Sequence, residues 1–239
     1  MFVSCNYKDN ITWNHPQEAT CLLRGMQIWR VQIPNCMQLL AKTKLLPEKE
    51  TSRAAKYAKQ KDKDRYIISR LVLRKLLSRY SGRPFHEIVI SDGKNNKPFS
   101  PGSGIHFNIA YSGHYILIAI AEREVGIDME LISENFDYTG VAATFFSTEE
   151  RAYIAQSINP LTAFYKLWTR KEALLKYTAQ GINDNIAFAP AIDGIHNGER
   201  VFIGKEGVVI TTFEMGERYM CSVATEPSIS RVLYFNWEE

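Results

Sequence analysis

Apolar and polar positions alternate strictly along Val125-Gly126-Ile127-Asp128-Met129-Glu130-Leu131. That period of two predicts a strand with Val125, Ile127, Met129 and Leu131 on one face and Gly126, Asp128 and Glu130 on the other. Upstream, the pattern predicts strands at Gln27–Ile33, Glu87–Ile90, Ile105–Ile109 and Tyr115–Ala121. It also predicts a mainly helical stretch from Pro47 to Tyr80, stopped by Ser81-Gly82-Arg83-Pro84. After the polar turn Glu122-Arg123-Glu124, helices are expected over roughly Gly140–Gln156 and Pro160–Gln180, the second ended by Gly181. Strands should follow at Ile186–Phe188, Val201–Ile203, Val208–Phe213, Tyr219–Thr225 and Val232–Phe235. Strand, helices, then several strands thus occurs twice. The expected fold is α+β, built as two similar α/β halves, 1–121 and 122–239, with a cleft at their junction.

The two periodicities bring three acids into question. Residues two apart on a strand are about 6.6–6.8 Å apart, so Asp128 and Glu130 can serve one cation. At about 100° per residue, Leu161, Phe164, Tyr165, Trp168, Leu175 and Ala179 share a face of the Pro160–Gln180 helix. Glu172 falls in the middle of that face and Lys176 at its edge. An unpaired carboxylate on a buried stripe costs several kcal/mol, and a metal shared with Asp128 and Glu130 would supply the partner. Taken separately, each feature has a bland reading. Asp128 and Glu130 suit the wet face of an edge strand, and Glu172 with Lys176 an i, i+4 surface pair.

Composition narrows the class. The chain has 239 residues, 45% hydrophobic and 23% charged, enough to bury a sizeable globular core. The longest purely apolar run, Ile116–Ala121, is far short of a membrane span. Met1–Asn10 lacks a basic region followed by an apolar one, and Cys5, Cys21, Cys36 and Cys221 form no CxxC pair. The expectation is a cytoplasmic protein with buried or free thiols, no membrane and no zinc. The net charge of +3 hides an asymmetry: Lys42–Arg79 holds 13 Lys and Arg against four Asp and Glu. A basic stretch implies an anionic partner, although long helices also carry solvated Lys and Arg.

Three segments then resemble a known family. Gly126-Ile127-Asp128-Met129-Glu130, Phe145-Phe146-Ser147-Thr148-Glu149-Glu150 and Trp168-Thr169-Arg170-Lys171-Glu172-Ala173-Leu174-Leu175-Lys176 are similar to the signature of 4′-phosphopantetheinyl transferases. Asn96-Lys97-Pro98-Phe99, Phe107 to Gly113 and the Asp62–Arg74 helix resemble further motifs of the surfactin-synthetase (Sfp) type. The resemblance runs from about Glu48 to Gly181. It implies a monomer, with two halves forming a pseudo-dimer within one polypeptide, the first taking the nucleotide end of coenzyme A and the second carrying the metal-binding carboxylates. The implied reaction moves the phosphopantetheine arm of coenzyme A to a serine of an apo acyl or peptidyl carrier protein, releasing adenosine 3′,5′-bisphosphate. Hard carboxylate oxygens suit the Mg²⁺ that such a transfer uses, with Mn²⁺ the alternative ion.

By that resemblance Asp128, Glu130 and Glu172 hold the metal, and Lys176 reaches the coenzyme A phosphates. Glu150 or Glu172 is the candidate base; Glu150 equally fits a capping box begun by Ser147. Arg53, Arg65 and Lys97 surround the 3′-phosphate and adenosine, with Asn108, Ala110 and Tyr111 along the nucleotide. Two positions depart from the family. Ala110-Tyr111 stands where Ser-His is common, so a neutral phenol replaces an imidazole. Glu50 stands where a lysine is common. Two rival readings remain at the level of sequence: another Mg²⁺-dependent phosphotransferase or nuclease acting on small nucleotides, and a nucleic-acid-binding protein using the basic 42–79 stretch.

Overall fold

A computed structural model describes residues 2–19, 25–181, 184–197, 207–216 and 218–238. Alternation decides the layers. Val125, Ile127 and Met129 of strand β7 (Val125–Leu131) enter an apolar core shared by two sheets. Met26 and Ile28 come from β2 (Met26–Gln32), Leu117 and Ala119 from β6 (Tyr115–Ala121), and Phe213 and Val223 from β9 (Val208–Met215) and β10 (Tyr219–Thr225).

One sheet has the order β7-β10-β9-β1-β8, where β1 is Phe2–Tyr7 and β8 is Gly194–Asn197. The other runs β11-β2-β6-β5, where β5 is His106–Ser112 and β11 is Val232–Asn236. A two-stranded ladder, β3 (Ser91–Asp92) with β4 (Pro98–Phe99), lies apart. Helix α1 (Glu48–Ala55) precedes α2 (Gln60–Ser81), whose Ile68, Leu71 and Leu73 pack on Trp29 and Ile118 of the second sheet. Helices α3 (Thr139–Phe145) and α4 (Thr148–Gln156) lead into α5 (Pro160–Thr178). Ala173, Leu174 and Tyr177 of α5 pack against Val208, Ile210 and Ala224 of the first sheet. Each half is therefore a sheet with a long helix on its outer face, the pseudo-dimeric α+β arrangement expected.

The chain ends cross between halves. β1 pairs in parallel with β9, and β11 in parallel with β2, so each terminus completes the sheet of the other half. The 121/122 division thus separates β6 from β7 but not the sheets' full membership. Some expected elements differ. Ile186–Phe188 is a 3-10 turn (Asp184–Phe188), and Glu87–Ile90 begins in one (Phe85–Glu87). Val201–Ile203 lies outside the described residues. β1 and β8 were not foreseen: each is short, and neither alternates cleanly enough to signal a strand. α5 ends at Ala179, left-handed at φ 52°, before Gly181; Asn95 Nδ2 donates to the Ala179 carbonyl at 2.8 Å and holds the turn.

Side chains stitch the two sheets where β5 meets β7. The Ile127 amide donates to Asn108 Oδ1 (2.9 Å) and the Leu131 amide to Ser112 Oγ (3.0 Å). On the opposite face α5 comes unusually close. A Cβ on Gly126 would stand 2.1 Å from the Ala173 carbonyl oxygen and 2.3 Å from the Tyr177 nitrogen, both backbone atoms. Only glycine permits this approach. Gly126→Ala is therefore expected to destabilise the chain by about 3 kcal/mol or more, read by urea unfolding. Wild-type stability in that variant would contradict the packing.

Candidate active site

The close approach brings the other residues of that β7 face beneath α5. Lys176 Nζ donates to Asp128 Oδ1 at 2.6 Å. Asp128 is buried and its Oδ2 has no hydrogen-bond partner. Glu130 Oε2 accepts from Ser112 Oγ at 3.1 Å. Glu172, one turn before Lys176, lines a cavity of about 260 Å³ with Lys176, Asn95, Asn96, Lys97 and Asn108. Burial, then repulsion from Asp128, pushes the Glu130 carboxyl up to about 7. Glu172 is likewise pushed up to about 7, by burial first, then by Asp128 and Glu130. Burial opposes the charge on Lys176, but Asp128, Glu172 and Glu130 outweigh it and hold the ammonium above its ordinary range. The arrangement is three mutually repelling carboxylates with one lysine between them.

This donor set suits a divalent cation: hard oxygens, excess negative charge and a buried carboxylate oxygen without a partner. It is not a closed shell. Among the described residues no group of three His, Cys, Asp or Glu side chains is set as it stands to hold a metal ion. Asp128 Oδ1 accepts from Lys176 and Glu130 Oε2 from Ser112.

The remaining expected site residues fall into separate places. Arg53, Arg65 and Tyr111 line a second cavity of about 140 Å³, the Arg65 guanidinium lying 3.9 Å from the centre of the Tyr111 ring. Lys97 borders the first cavity, but its ammonium already serves Glu124 Oε2 (2.7 Å) and the carbonyls of Val125 (3.0 Å) and Tyr177 (3.1 Å). It therefore also ties the β3–β4 region to the junction. Ala110 is buried in the core between the sheets. Glu50 turns inward to Arg74 at 2.9 Å.

Glu150, the other candidate base, lies apart from the carboxylates beneath α5. Its Oε2 accepts from the Ser147 amide at 2.9 Å, completing the capping box of α4, and pairs with Lys171 at 2.9 Å. Both side chains are buried, and Glu150 lines a different cavity from Glu172. The Glu150 carboxylate is engaged by the cap and by a buried ammonium. Lys171 and Arg170 were missed as interior residues. Arg170 is fully buried, bonded to Thr212, Asp193 and two carbonyls. The helical face drawn from apolar residues alone left no place for either.

Two family models match consecutive stretches: "4′-phosphopantetheinyl transferase, N-terminal" over residues 29–123, and the 4′-phosphopantetheinyl transferase superfamily over 124–223. The chain belongs to the 4′-phosphopantetheinyl transferase superfamily. A Synechocystis protein named for this superfamily is 33% identical over 156 residues, 59% of this chain and 60% of its own length. The 4′-phosphopantetheinyl transferase gsp of Aneurinibacillus migulanus is 33% identical over 129 residues, 53% of each chain. HetI of a Nostoc species, also named a 4′-phosphopantetheinyl transferase, is 29% identical over 182 residues, 72% of this chain and 76% of its own. The chain thus spans between half and two thirds of the length of the first two relatives. Among the described residues no helix is long and apolar enough to cross a membrane.

The raised carboxyls set a pH dependence for this superfamily member. With folded values of about 7 against an ordinary 4.5, the native chain binds more protons than the unfolded one across that window. Stability is then highest below the window and is lost as pH rises through it. In metal-free buffer the unfolding midpoint is expected to fall from about pH 5 to about pH 8, and Mg²⁺ to restore it at the upper end. Glu172→Gln should raise the metal-free unfolding free energy at about pH 8 by on the order of 1 kcal/mol. A flat wild-type profile would contradict the clustering of these acids.

Proposed function

We propose that the chain transfers the 4′-phosphopantetheine arm of coenzyme A to a serine hydroxyl of an apo carrier protein, releasing adenosine 3′,5′-bisphosphate. The observation that carries this reading is the convergence of Asp128, Glu130, Glu172 and Lys176 beside a cavity at the junction of the halves. Superfamily membership supplies the reaction class.

Asp128, Glu130 and Glu172 are the residues that would hold Mg²⁺. When bound, the ion neutralises pyrophosphate charge, the main requirement of phosphoryl transfer. Lys176 offers its ammonium to the phosphate oxygens and offsets the charge that grows on the departing 5′-phosphate. Glu172, lining the cavity, accepts the serine proton; the serine oxygen then forms the new P–O bond as the pyrophosphate P–O bond breaks. Arg53 and Arg65 bind the nucleotide end in the second cavity. Asn108 has its carbonyl oxygen committed to Ile127, which leaves its amide group for the ligand.

The basic stretch supports an acidic protein partner. Lys42, Lys44, Lys49, Lys56, Lys59 and Lys61 are exposed, whereas Arg70 and Arg74 turn inside. Long-range steering by the lysines raises the encounter rate more than the final affinity.

Weighing a panel of apo carrier proteins after incubation with the chain, coenzyme A and Mg²⁺ tests the reading. At least one carrier should gain a phosphopantetheine arm, and none should with Glu172→Gln. No addition to any carrier, where a control enzyme modifies them all, would overturn it.

A further inference from the structure

Glu130 is held by a residue of the other half. β5 and β7 are edge strands of the two sheets and lie side by side, with no backbone ladder between them among the described residues. Asn108 and Ser112 of β5 make the join instead, accepting the Ile127 and Leu131 amides at 2.9 and 3.0 Å. The two acceptors differ in what they can do next. A serine oxygen that accepts an N–H still has its own proton to give, and Glu130 Oε2 lies 3.1 Å from Ser112 Oγ. This is the one hydrogen bond to the Glu130 carboxylate among the described residues. Lys176, the cation of the cluster, donates to Asp128.

The turn that carries Ser112 is fixed from the same side. Ser112 stands opposite Tyr115 in the β5–β6 hairpin, so Gly113 and His114 form a two-residue turn. Gly113 is left-handed at φ 54°, and a Cβ there would stand 2.4 Å from the Tyr219 hydroxyl oxygen. The His114 amide donates to that oxygen at 3.2 Å, and the Tyr115 and Tyr219 rings meet edge to face with centroids 5.2 Å apart. Tyr219 is itself the ladder partner of Leu131. Hairpin tip, hydroxyl and the end of β7 therefore form one frame.

We propose that Ser112 is a positioning residue of the carboxylate cluster. Its hydroxyl holds Glu130 Oε2 and leaves Oε1 to a divalent cation, so the first half of the chain sets the cation affinity of the second. A glutamate held in advance gives up less rotamer freedom when it binds than a free one. The inference rests on the cation reading of Asp128, Glu130 and Glu172 and adds to it a residue from the opposite sheet.

Mn²⁺ titration of the full chain, read by electron paramagnetic resonance, tests this. Ser112→Ala should weaken the Mn²⁺ site by about 3–10-fold. Ser112→Thr keeps the hydroxyl and should stay within about twofold of wild type. Loosening of the seam alone would lower the affinity whether or not Glu130 is present. A role through Glu130 would not: in a Glu130→Ala background, Ser112→Ala should change the affinity by less than about twofold. An unchanged affinity in Ser112→Ala, or an equal loss in both backgrounds, would overturn the proposal. If Ser112→Ala does not fold, a crystal of the wild-type chain with Mn²⁺ decides. One Glu130 oxygen should lie on the ion and the other within about 3.2 Å of Ser112 Oγ; a Glu130 that meets the ion without Ser112, or does not meet it, overturns the proposal. A chain whose Mn²⁺ site depends on Ser112 but that modifies no carrier contradicts the transferase reading alone. One that modifies carriers with the same Mn²⁺ affinity in Ser112→Ala contradicts this inference alone.

Discussion

A missing side chain organises this molecule. Because residue 126 is glycine, the backbone of α5 at Ala173 and Tyr177 rests directly on β7. The contact sets the depth at which Glu172 and Lys176 meet Asp128 and Glu130, since the first two adjoin Ala173 and Tyr177 on the helix and the others lie two and four positions from Gly126 on the same face of the strand. The opposite face of β7 is fixed just as firmly, by Val125, Ile127 and Met129 in the core between the sheets. A strand gripped on both sides cannot slip register, so its acids are held in place by packing rather than by their own interactions. That matters because those interactions are repulsive.

Charge is concentrated at two separate places, with opposite sign. Beneath α5, three carboxylates share one lysine, and two of them are pushed up to about 7. Beside α2, three arginines face one small cavity, and one of them has no acceptor for Nε or Nη1. Neither arrangement is what a chain optimised for its own stability would choose.

Much of this was legible in the sequence. The β7 alternation, the α2 stop at Gly82 and the position of Glu172 on α5 follow from local periodicity and turn chemistry. The family signature pointed to the same acids. Other features depend on distant pairing and were not legible. β1 is held as a strand by β9 and β8, about 200 residues away, and not by its own pattern. Lys171 was hidden by its neighbour: one residue from Glu172, it points inward to Glu150 and two carbonyls. The Ser147–Glu150 capping box, by contrast, was readable as such, and the ion pair with Lys171 was not. Arg70, flanked by Ile67, Ile68, Leu71 and Val72, carried a usable signal as a charge inside an apolar run.

The most direct test of the whole account is to count divalent ions. Mn²⁺ titration of the full chain, followed by electron paramagnetic resonance, should find one site of submillimolar affinity. Asp128→Asn on the strand and Glu172→Gln on the helix should each weaken it by about tenfold or more. A site that survives Glu172→Gln unchanged, or no site at all, would contradict the claim that β7 and α5 meet in order to hold one ion.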